Sequence, residues 1–219
     1  MSNGTDSHTY LLLKRILDVT GSLFLTVVLF PLMLATAIAI KIDSPGPVLA
    51  DIPMRVGKNG KLFRLYKFRS MVPNAQKLLM TDPKLKRLYQ EYKKNNFKLE
   101  NDPRITRVGS FIRKYSIDEF PQLFNVLVGN MSLVGPRAYY PFELEERRHQ
   151  HPHLNEQIDR MLTVNPGMTG LWQVSGRSNI DVEHRIMLDA QNAEQKSILY
   201  DLKILLKTPM VVISAKGAY

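Results

Sequence analysis

The sequence predicts a small mixed α/β (α+β) domain that is anchored to a membrane by an N-terminal helix hairpin. Three observations predict this fold class. An apolar run extends from Val19 to Ile42 and carries no charge before Lys41. Strand-like and helical segments alternate after this run. The 219 residues are enough for one domain with its own hydrophobic core.

The composition restricts the classes of function. Lys and Arg number 30 against 20 Asp and Glu, which gives a net charge of +10. Such a charge predicts anionic partners: nucleic acid, lipid headgroups or phosphorylated substrates. The chain has no cysteine, so disulfides, thiolate metal sites and thiol nucleophiles are excluded.

The N-terminal part divides into a polar tail, residues 1–13, and a membrane segment, residues 14–42. An uncharged apolar run of this length is typical of a membrane helix. Pro31 lies near its middle, where it removes a backbone hydrogen bond and breaks the helix. Basic residues flank the run on both sides: Lys14, Arg15, Lys41, Arg55 and Lys58. Because positive flanks stay in the cytoplasm, we expect a re-entrant hairpin that turns at Pro31.

Two other interpretations of this segment stay open. A single spanning helix could be kinked at Pro31, since proline is tolerated in membrane helices. A signal peptide could be cleaved near Ala35-Thr-Ala37, although the basic sequence that follows argues against secretion.

The remaining chain, residues 43–219, is predicted to be a cytoplasmic domain that begins with a β-hairpin. Strand-like runs Val48–Val56 and Lys61–Phe68 flank Asn-Gly, a strong hairpin signal. Helices are expected over 74–100, with a restart at Pro83.

Helices and one strand are expected in the second half of the domain. Residues 141–163 predict two helices around Pro152, and 165–177 predict a loop, a strand and a second loop. A long helix is expected over 182–207, with a short strand over 210–214 after it. Its apolar stripe either faces the core or makes it an amphipathic helix in the membrane interface.

Asp118 and Glu119 are adjacent carboxylates at the start of a predicted helix over 118–128. One interpretation is a capping box, in which Ser116 caps the helix and Glu119 reaches back. The other begins from the helix dipole, which favours an ionised carboxylate and leaves backbone N–H groups for phosphate. An ionised Asp beside phosphate-binding groups is the arrangement that a carboxylate nucleophile needs.

Histidines 149, 151 and 153 raise the question of a metal site. Their spacing is not helical and no carboxylate partner is evident in the sequence, so an exposed polar loop is the favoured interpretation.

Several motifs occur together in a fixed order: Lys67-Phe-Arg-Ser-Met71, Asp102-Pro-Arg-Ile-Thr106, Ser116-Ile-Asp-Glu-Phe-Pro-Gln-Leu123, Met131-Ser-Leu-Val-Gly-Pro-Arg137, Pro166-Gly-Met-Thr-Gly-Leu-Trp-Gln-Val-Ser-Gly-Arg177 and Gly217-Ala-Tyr219. This set closely resembles the bacterial sugar transferases called monotopic phosphoglycosyl transferases. The resemblance covers nearly the whole chain from Lys14 onward. The segment 190–197 departs from the aromatic-rich pattern of that family.

The resemblance implies transfer of a sugar phosphate from a UDP-sugar to undecaprenyl phosphate, with release of UMP. It places this step at the cytoplasmic face of the bacterial inner membrane, at the start of surface glycan synthesis. It further implies Mg²⁺ as cofactor, Asp118 as nucleophile and metal ligand, and a covalent phosphosugar intermediate. Glu119 would assist metal binding or deprotonation of the lipid phosphate.

Two polyanionic substrates must meet an anionic nucleophile in this reaction, so positive charge has to offset their repulsion. The candidates for binding phosphate or substrate are Lys67, Arg69, Arg113, Arg137, Gln173 and Arg177, with Asp189 at an acidic position of the family. The insertion over 74–101 resembles that of hexose-phosphate transferases, which implies UDP-glucose or UDP-galactose as the donor, and an N-acetylated UDP-sugar is the alternative. A basic nucleic-acid-binding or scaffold protein would leave the dyad and the Trp172 loop unexplained, so no nucleic acid partner is expected. A homodimer remains open.

Overall fold

Helices make up most of the computed structural model, which describes residues 8–94, 99, 102–176, 180–195 and 197–214. The helices are α1 (His8–Asp43), α2 (Ala75–Thr81), α3 (Lys86–Lys94), α4 (Arg107–Lys114), α5 (Gln122–Leu127), α6 (Pro141–Gln150), α7 (Asn155–Met161), α8 (Leu171–Ser175), α9 (Val182–Glu194) and α10 (Ile198–Ser214). The strands are β1 (Arg55–Val56), β2 (Leu62–Phe63), β3 (Ser132–Val134) and β4 (Gly167–Thr169). Short 3₁₀ turns cover Lys58–Gly60, Pro83–Leu85, Ile117–Glu119 and Pro152–Leu154. The predicted mixture of helices and small sheets is confirmed.

The strands form two small sheets. β1 and β2 are antiparallel, with Arg55 opposite Phe63, and an isolated bridge between Leu49 and Phe68 extends the hairpin. β3 and β4 are parallel, with Ser132 opposite Gly167. The predicted hairpin is therefore confirmed, with shorter regular strands than the sequence pattern indicated.

Helix α1 runs from His8 to Asp43 without interruption, and Pro31 lies inside it. The expected hairpin and the expected break at Pro31 are therefore not observed. The reason is packing: Leu29 and Met33, on either side of Pro31, both contact the domain and hold the helix in line across the missing hydrogen bond. By length and composition α1 could cross a membrane.

Three hydrophobic clusters build the core. The first joins β2, α5, β3 and α10 around Phe63, Leu123 and Leu133. The second joins α6, α7 and α9 around Ile158 and Ile186. The third lies between the second half of α1, α4 and the turn at 117–119, and its buried members are Met33, Ile40, Phe68, Ile112 and Ile117. The apolar helix thus packs directly against the segment that carries the carboxylate dyad.

Three local predictions need correction. The sequence did not predict α4, which Thr106 caps by accepting a hydrogen bond from the N–H of Gly109 at 3.0 Å. The Trp172 segment forms the short helix α8 where a loop was expected. The predicted helix over 182–207 is two helices, because Gln195 and Ser197 leave helical geometry between α9 and α10.

The end of the described chain is also helical where a stop and a strand were predicted. α10 continues through Pro209 to Ser214. The hydroxyl of Thr208 donates to the carbonyl of Ile204 at 2.8 Å.

Candidate active site

The carboxylate dyad lies on a 3₁₀ turn, Ile117–Glu119, between α4 and α5. Ser116 adopts a left-handed conformation with φ of 55° and its side chain makes no capping hydrogen bond. The capping-box interpretation is therefore wrong, because this backbone directs the turn differently from a helix N-terminus. Ile117 is buried beside Phe68, and the N–H of Phe68 donates to the carbonyl of Asp118 at 2.9 Å.

Lys67 joins the two carboxylates. Its Nζ lies 2.8 Å from Oδ2 of Asp118 and 3.4 Å from Oε1 of Glu119. The Asp118 residue is only 2 % exposed, whereas the side chain of Glu119 is 42 % exposed. Lys67 lies in the hairpin segment and the dyad lies on the 3₁₀ turn. Two segments that are distant in sequence therefore form one charged site.

Burial and charge act in opposite directions on this group of residues. Burial raises the pKa of Asp118, the Lys67 ammonium opposes this effect, and the Glu119 carboxylate adds to it. For Lys67, burial lowers the pKa, but the nearby Asp118 and Glu119 outweigh burial and raise it overall. Arg113 contributes further positive charge that favours the ionised form of Asp118. Burial has the largest effect, so the pKa of Asp118 is raised overall, and the charges of Lys67 and Arg113 limit the rise.

A cluster of arginine and aromatic side chains lies near the dyad, and we call it the arginine wall. Its members are Arg55, Arg137, Arg185, Tyr139, Tyr140 and Trp172. The charge of Glu119 acts on Arg55 and on Arg137. The guanidinium carbon of Arg137 lies 5.7 Å from the ring centroids of both Tyr139 and Trp172. That of Arg185 lies 4.8 Å from the Trp172 ring. These distances are typical of cation–π contacts, which orient a guanidinium and leave its donors free to bind an anion.

Arg55 and Arg185 belong to this wall and were not predicted as site residues. Arg55 stacks on the Tyr140 ring at 3.3 Å from its centroid. Burial lowers the pKa of Arg185, and the charge of Arg137 lowers it further. Cations that disfavour one another in this way are stabilised by a bound anion. Arg55 lies in the basic run that the hairpin prediction covered, but no spacing signal separates it from its neighbours.

Several polar atoms of this wall are buried without a hydrogen-bond partner among the described residues. They are Nε of Arg55, Nε of Arg137, Nε1 of Trp172, Oε1 of Gln173 and Nε of Arg185. Buried polar groups usually have partners, so a cluster of such atoms indicates a place for a polar ligand. One of these residues is the predicted Gln173, which follows Trp172 on α8.

Asp189 is fully buried and both of its oxygens accept hydrogen bonds from the protein. The backbone N–H of Arg137 donates to Oδ1 at 3.1 Å, and the Tyr139 hydroxyl donates to Oδ2 at 2.8 Å. Burial raises the pKa of Asp189 to about 7, although both hydrogen bonds and the Arg137 charge oppose the rise. Asp189 therefore contacts the loop that contains Arg137. Its carboxylate is not exposed, so it does not face a ligand.

One other predicted residue, Arg69, does not join the dyad and the arginine wall. Arg69 is buried, and its guanidinium donates to the carbonyl of Pro47 at 2.6 Å, to the hydroxyl of Ser44 at 2.8 Å and to its carbonyl at 2.9 Å. These bonds fix the turn at the end of α1 in place of contacting a phosphate. Arg177 lies outside the described residues.

The dyad also fits the predicted metal. Mg²⁺ in phosphate enzymes is held by one or two carboxylates together with substrate oxygens. Glu119 offers an exposed carboxylate beside that of Asp118, whose Oδ2 is paired with Lys67. Oxygen donors of this kind suit a hard cation.

A cavity of about 140 Å³ lies elsewhere, between the first third of α1, β3 and α10. None of the site residues above lines it. Lys14 lines this cavity. Its Nζ lies 2.9 Å from Oδ2 of Asp201 and donates to the carbonyl of Val134 at 3.1 Å. These contacts join α1 to the domain and do not bring reactive groups together.

The sequence of this chain is similar to those of several known proteins. The family model described as bacterial sugar transferase matches residues 9–215. The undecaprenyl-phosphate galactose phosphotransferase of Salmonella typhimurium is 44% identical over 211 residues, which cover 94% of this chain and 42% of that protein. The exopolysaccharide production protein ExoY of Sinorhizobium fredii is 36% identical over 206 residues, covering 94% of this chain and 88% of that protein.

A third relative is named for a different sugar. The UDP-N-acetylgalactosamine-undecaprenyl-phosphate N-acetylgalactosaminephosphotransferase of Aeromonas hydrophila is 36% identical over 226 residues, covering 97% of this chain and 46% of that protein. The chain thus spans less than half the length of the Salmonella and Aeromonas proteins.

Proposed function

This chain belongs to the bacterial sugar transferase family, and we propose that it transfers a sugar 1-phosphate from a UDP-sugar to undecaprenyl phosphate. The observation that carries the proposal is the buried Asp118 paired with Lys67 at 2.8 Å, beside the exposed Glu119 and near the arginine wall. That arrangement holds an ionised carboxylate where polyanionic substrates are attracted.

In the proposed reaction, a carboxylate oxygen of Asp118 attacks the phosphorus that is bonded to the sugar. A new bond forms between phosphorus and this oxygen while the bridging bond to UMP breaks, so UMP leaves with the electron pair. An oxygen of undecaprenyl phosphate then attacks the same phosphorus, which restores the Asp118 carboxylate and gives the diphosphate-linked sugar lipid. No oxidant or reductant takes part.

The cations have separate roles in this proposal. Lys67 favours the ionised form of Asp118 and so opposes the effect of burial, and Lys67 and Arg113 offset the charge of the incoming diphosphate. Arg137, Arg185 and Arg55 supply donors for phosphate oxygens, with Gln173 as a neutral donor or acceptor beside them. Asp189 acts as a positioning residue that holds the backbone of Arg137.

Asp118 and Glu119 are the residues that would hold Mg²⁺, together with oxygens of the donor diphosphate. When bound, the metal supplies charge neutralisation for the leaving phosphate. Glu119, as the exposed carboxylate, is also placed to accept a proton from an approaching lipid phosphate.

A position at the cytoplasmic face of the inner membrane forms part of the proposal. Exposed apolar side chains follow the outward surfaces of two helices: Phe24, Val27, Phe30, Leu34 and Ile38 on α1, and Leu199, Leu206, Met210 and Ile213 on α10. The opposite face of α1 is covered by the domain from Asp18 to Ile40, so lipid cannot surround this helix. We therefore expect the chain to associate with one leaflet, close to the lipid substrate.

Release of UMP tests the reaction. Purified protein in nanodiscs would be mixed with Mg²⁺, undecaprenyl phosphate and, separately, UDP-glucose, UDP-galactose, UDP-N-acetylglucosamine and UDP-N-acetylgalactosamine. We expect release with UDP-galactose or UDP-glucose, because the galactose relative is 44% identical and the N-acetylgalactosamine relative is 36% identical. Release with an N-acetylated donor alone would keep the reaction and change the sugar.

Two variants make this experiment decisive. Asp118→Asn should abolish release, whereas Asp159→Asn should retain it, because Asp159 is an exposed aspartate on α7. Persistent UMP release by Asp118→Asn would contradict the nucleophile assignment. Salt-dependent binding of an oligonucleotide that survives Asp118→Asn, without any UMP release, would instead favour a nucleic-acid-binding protein.

A further inference from the structure

A second group of ligating side chains lies where the turn that follows α6 meets the first turn of α9. It consists of His151, His153 and Glu183, whose donor atoms all lie within 4.8 Å of one another. Among the described residues it is the group of three that could hold a metal ion. The structure therefore provides the carboxylate partner that the sequence did not reveal, since Glu183 lies about thirty residues after the histidines.

The two imidazoles approach the same carboxylate oxygen. Nδ1 of His151 lies 2.7 Å from Oε1 of Glu183, and Nε2 of His153 lies 3.6 Å from that oxygen. The ring planes meet at 80°, with centroids 6.1 Å apart, so the rings are edge-on and do not stack. Zinc bonds of about 2.0–2.1 Å in tetrahedral geometry need donors roughly 3.3 Å apart. The observed separations bracket that value.

The local backbone explains why these side chains meet. Pro152 begins the 3₁₀ turn that places His151 and His153 on one side of it. Glu183 occupies the first turn of α9, which Asp181 caps by accepting a hydrogen bond from His184 N–H at 2.8 Å. Both segments are anchored beneath by the cluster around Leu154 and Ile186. The three ligands therefore project from a fixed base.

We propose that His151, His153 and Glu183 form a binding site for a borderline divalent metal ion of the Zn²⁺ type. Two imidazole nitrogens and one carboxylate oxygen suit zinc, whereas Mg²⁺ prefers oxygen donors alone. The side chains of His153 and Glu183 are 60% and 44% exposed, so an ion enters from solvent and a water molecule completes its coordination.

The metal at this site would act as a clamp between the turn at 152–154 and α9. The same helix carries Arg185, two residues after Glu183, and Asp189, six residues after it. A clamp on the first turn would therefore restrict the motion of the helix that positions the arginine wall. The metal site itself does not depend on the proposed sugar transfer.

Zinc titration of the full chain tests the site directly. Untagged protein in detergent, stripped with chelator and supplied with excess Mg²⁺ to occupy oxygen sites, would be titrated with ZnCl₂ by calorimetry. We expect one Zn²⁺ per chain. His153→Asn and Glu183→Gln should each weaken this binding at least about 100-fold, since loss of even an outer-shell partner costs 10–100-fold.

The chain offers a matched control in His149, which lies on α6 and is not part of the cluster. His149→Asn should bind Zn²⁺ as the unmodified protein does. Hydrogen exchange gives a second readout, because Zn²⁺ should slow exchange in residues 151–154 and in the first turn of α9 only. Absence of stoichiometric binding, or binding that His153→Asn and Glu183→Gln leave unchanged, would show an ordinary ion pair and overturn the proposal.

Discussion

Asp118 and Asp189 are both buried carboxylates, with 2 % and 0 % of their surfaces exposed, yet their partners differ. Asp118 is paired with the side-chain ammonium of Lys67, which is itself 25 % exposed. Asp189 accepts hydrogen bonds from the Tyr139 hydroxyl and from the Arg137 backbone N–H. The first group contacts a charged ammonium near solvent, whereas the two hydrogen-bond donors to the second are neutral.

This difference in partners shows that burial alone does not identify a reactive carboxylate. Burial raises the pKa of both groups. At Asp118 a positive charge in direct contact, the Lys67 ammonium at 2.8 Å, opposes that rise and favours the ionised form that the proposed attack on phosphorus needs. The Asp189 carboxylate instead accepts two hydrogen bonds, from Arg137 and Tyr139, and so holds the loop that contains them. We therefore assign chemistry to Asp118 and positioning to Asp189.

The largest expected effect separates the two aspartates by activity. Asp118→Asn should lower kcat/KM for UMP release by at least about 1,000-fold, because an amide cannot form the phosphoryl bond. Asp189→Asn should lower it by no more than about tenfold, because an amide oxygen can still accept the Arg137 hydrogen bond. Steady-state UMP assays on both variants measure the difference. Equal losses in the two variants would contradict the assignment.

Removal of the Lys67 charge should have the next largest effect. Lys67→Met should lower kcat about 100-fold, as loss of one electrostatic group commonly does. It should also move the acidic limb of the pH–rate profile to higher pH, because the pKa of Asp118 rises further without the ammonium. Lys67→Arg, which keeps the charge, is the control and should leave the limb in place. An unmoved limb in Lys67→Met would show that Lys67 does not hold the charge of Asp118.

The titration of Asp189 should affect how the free energy of unfolding depends on pH. The pKa of Asp189 is about 7 in the folded protein, above the usual value of roughly 3.9 for an unfolded chain. The folded state therefore binds the proton more tightly, and its stabilisation, complete below about pH 4, is lost as pH rises to about 7. The loss amounts to at most about 1.4 kcal/mol per pH unit.

Asp189→Asn removes this titration and keeps hydrogen-bonding capacity. The free energy of unfolding of the variant minus that of the unmodified protein should therefore rise as pH increases from 4 to 7. Denaturant titrations at several pH values measure this difference, in which the other carboxylates cancel. A difference that is independent of pH would show that Asp189 titrates normally.

The smallest expected effect extends the comparison to two arginines. Arg185 stacks on Trp172 with its Nε buried and unpartnered among the described residues, whereas Arg69 is bonded to Ser44 and Pro47. Arg185→Met should raise KM for the UDP-sugar about five- to tenfold, through loss of a charge-assisted hydrogen bond. Arg69→Met should instead lower Tm and leave KM unchanged. Kinetics and thermal unfolding of both variants distinguish these outcomes.

Local signals predicted much of the fold and the centre of the site. Asn-Gly predicted the hairpin, and Pro152 predicted the boundary between α6 and α7. Asp118 and Glu119 are adjacent in sequence, so their proximity needed no tertiary information. The turn before Arg137 was likewise local. These predictions succeed because a few neighbouring residues determine the backbone.

The remaining features depend on contacts between distant segments. Pro31 and Pro209 were expected to end helices, but both lie inside helices, and packing on either side of Pro31 maintains the first of them. Arg55 and Arg69 lie in the same basic run, and only the fold shows that Arg55 reaches the Tyr140 ring while Arg69 binds the α1 exit. The spacing of the basic residues in the sequence does not predict these different positions of Arg55 and Arg69.

Capture of the covalent intermediate tests the central claim most directly. Protein incubated with the UDP-sugar donor, without undecaprenyl phosphate, would be quenched in acid, digested with trypsin and examined by mass spectrometry. The peptide Tyr115–Arg137 contains Asp118 and Glu119 as its only acidic residues. We predict one hexose phosphate on this peptide, with fragment ions that place it on Asp118. An adduct on any other residue, or turnover with acceptor but no adduct, would contradict the account.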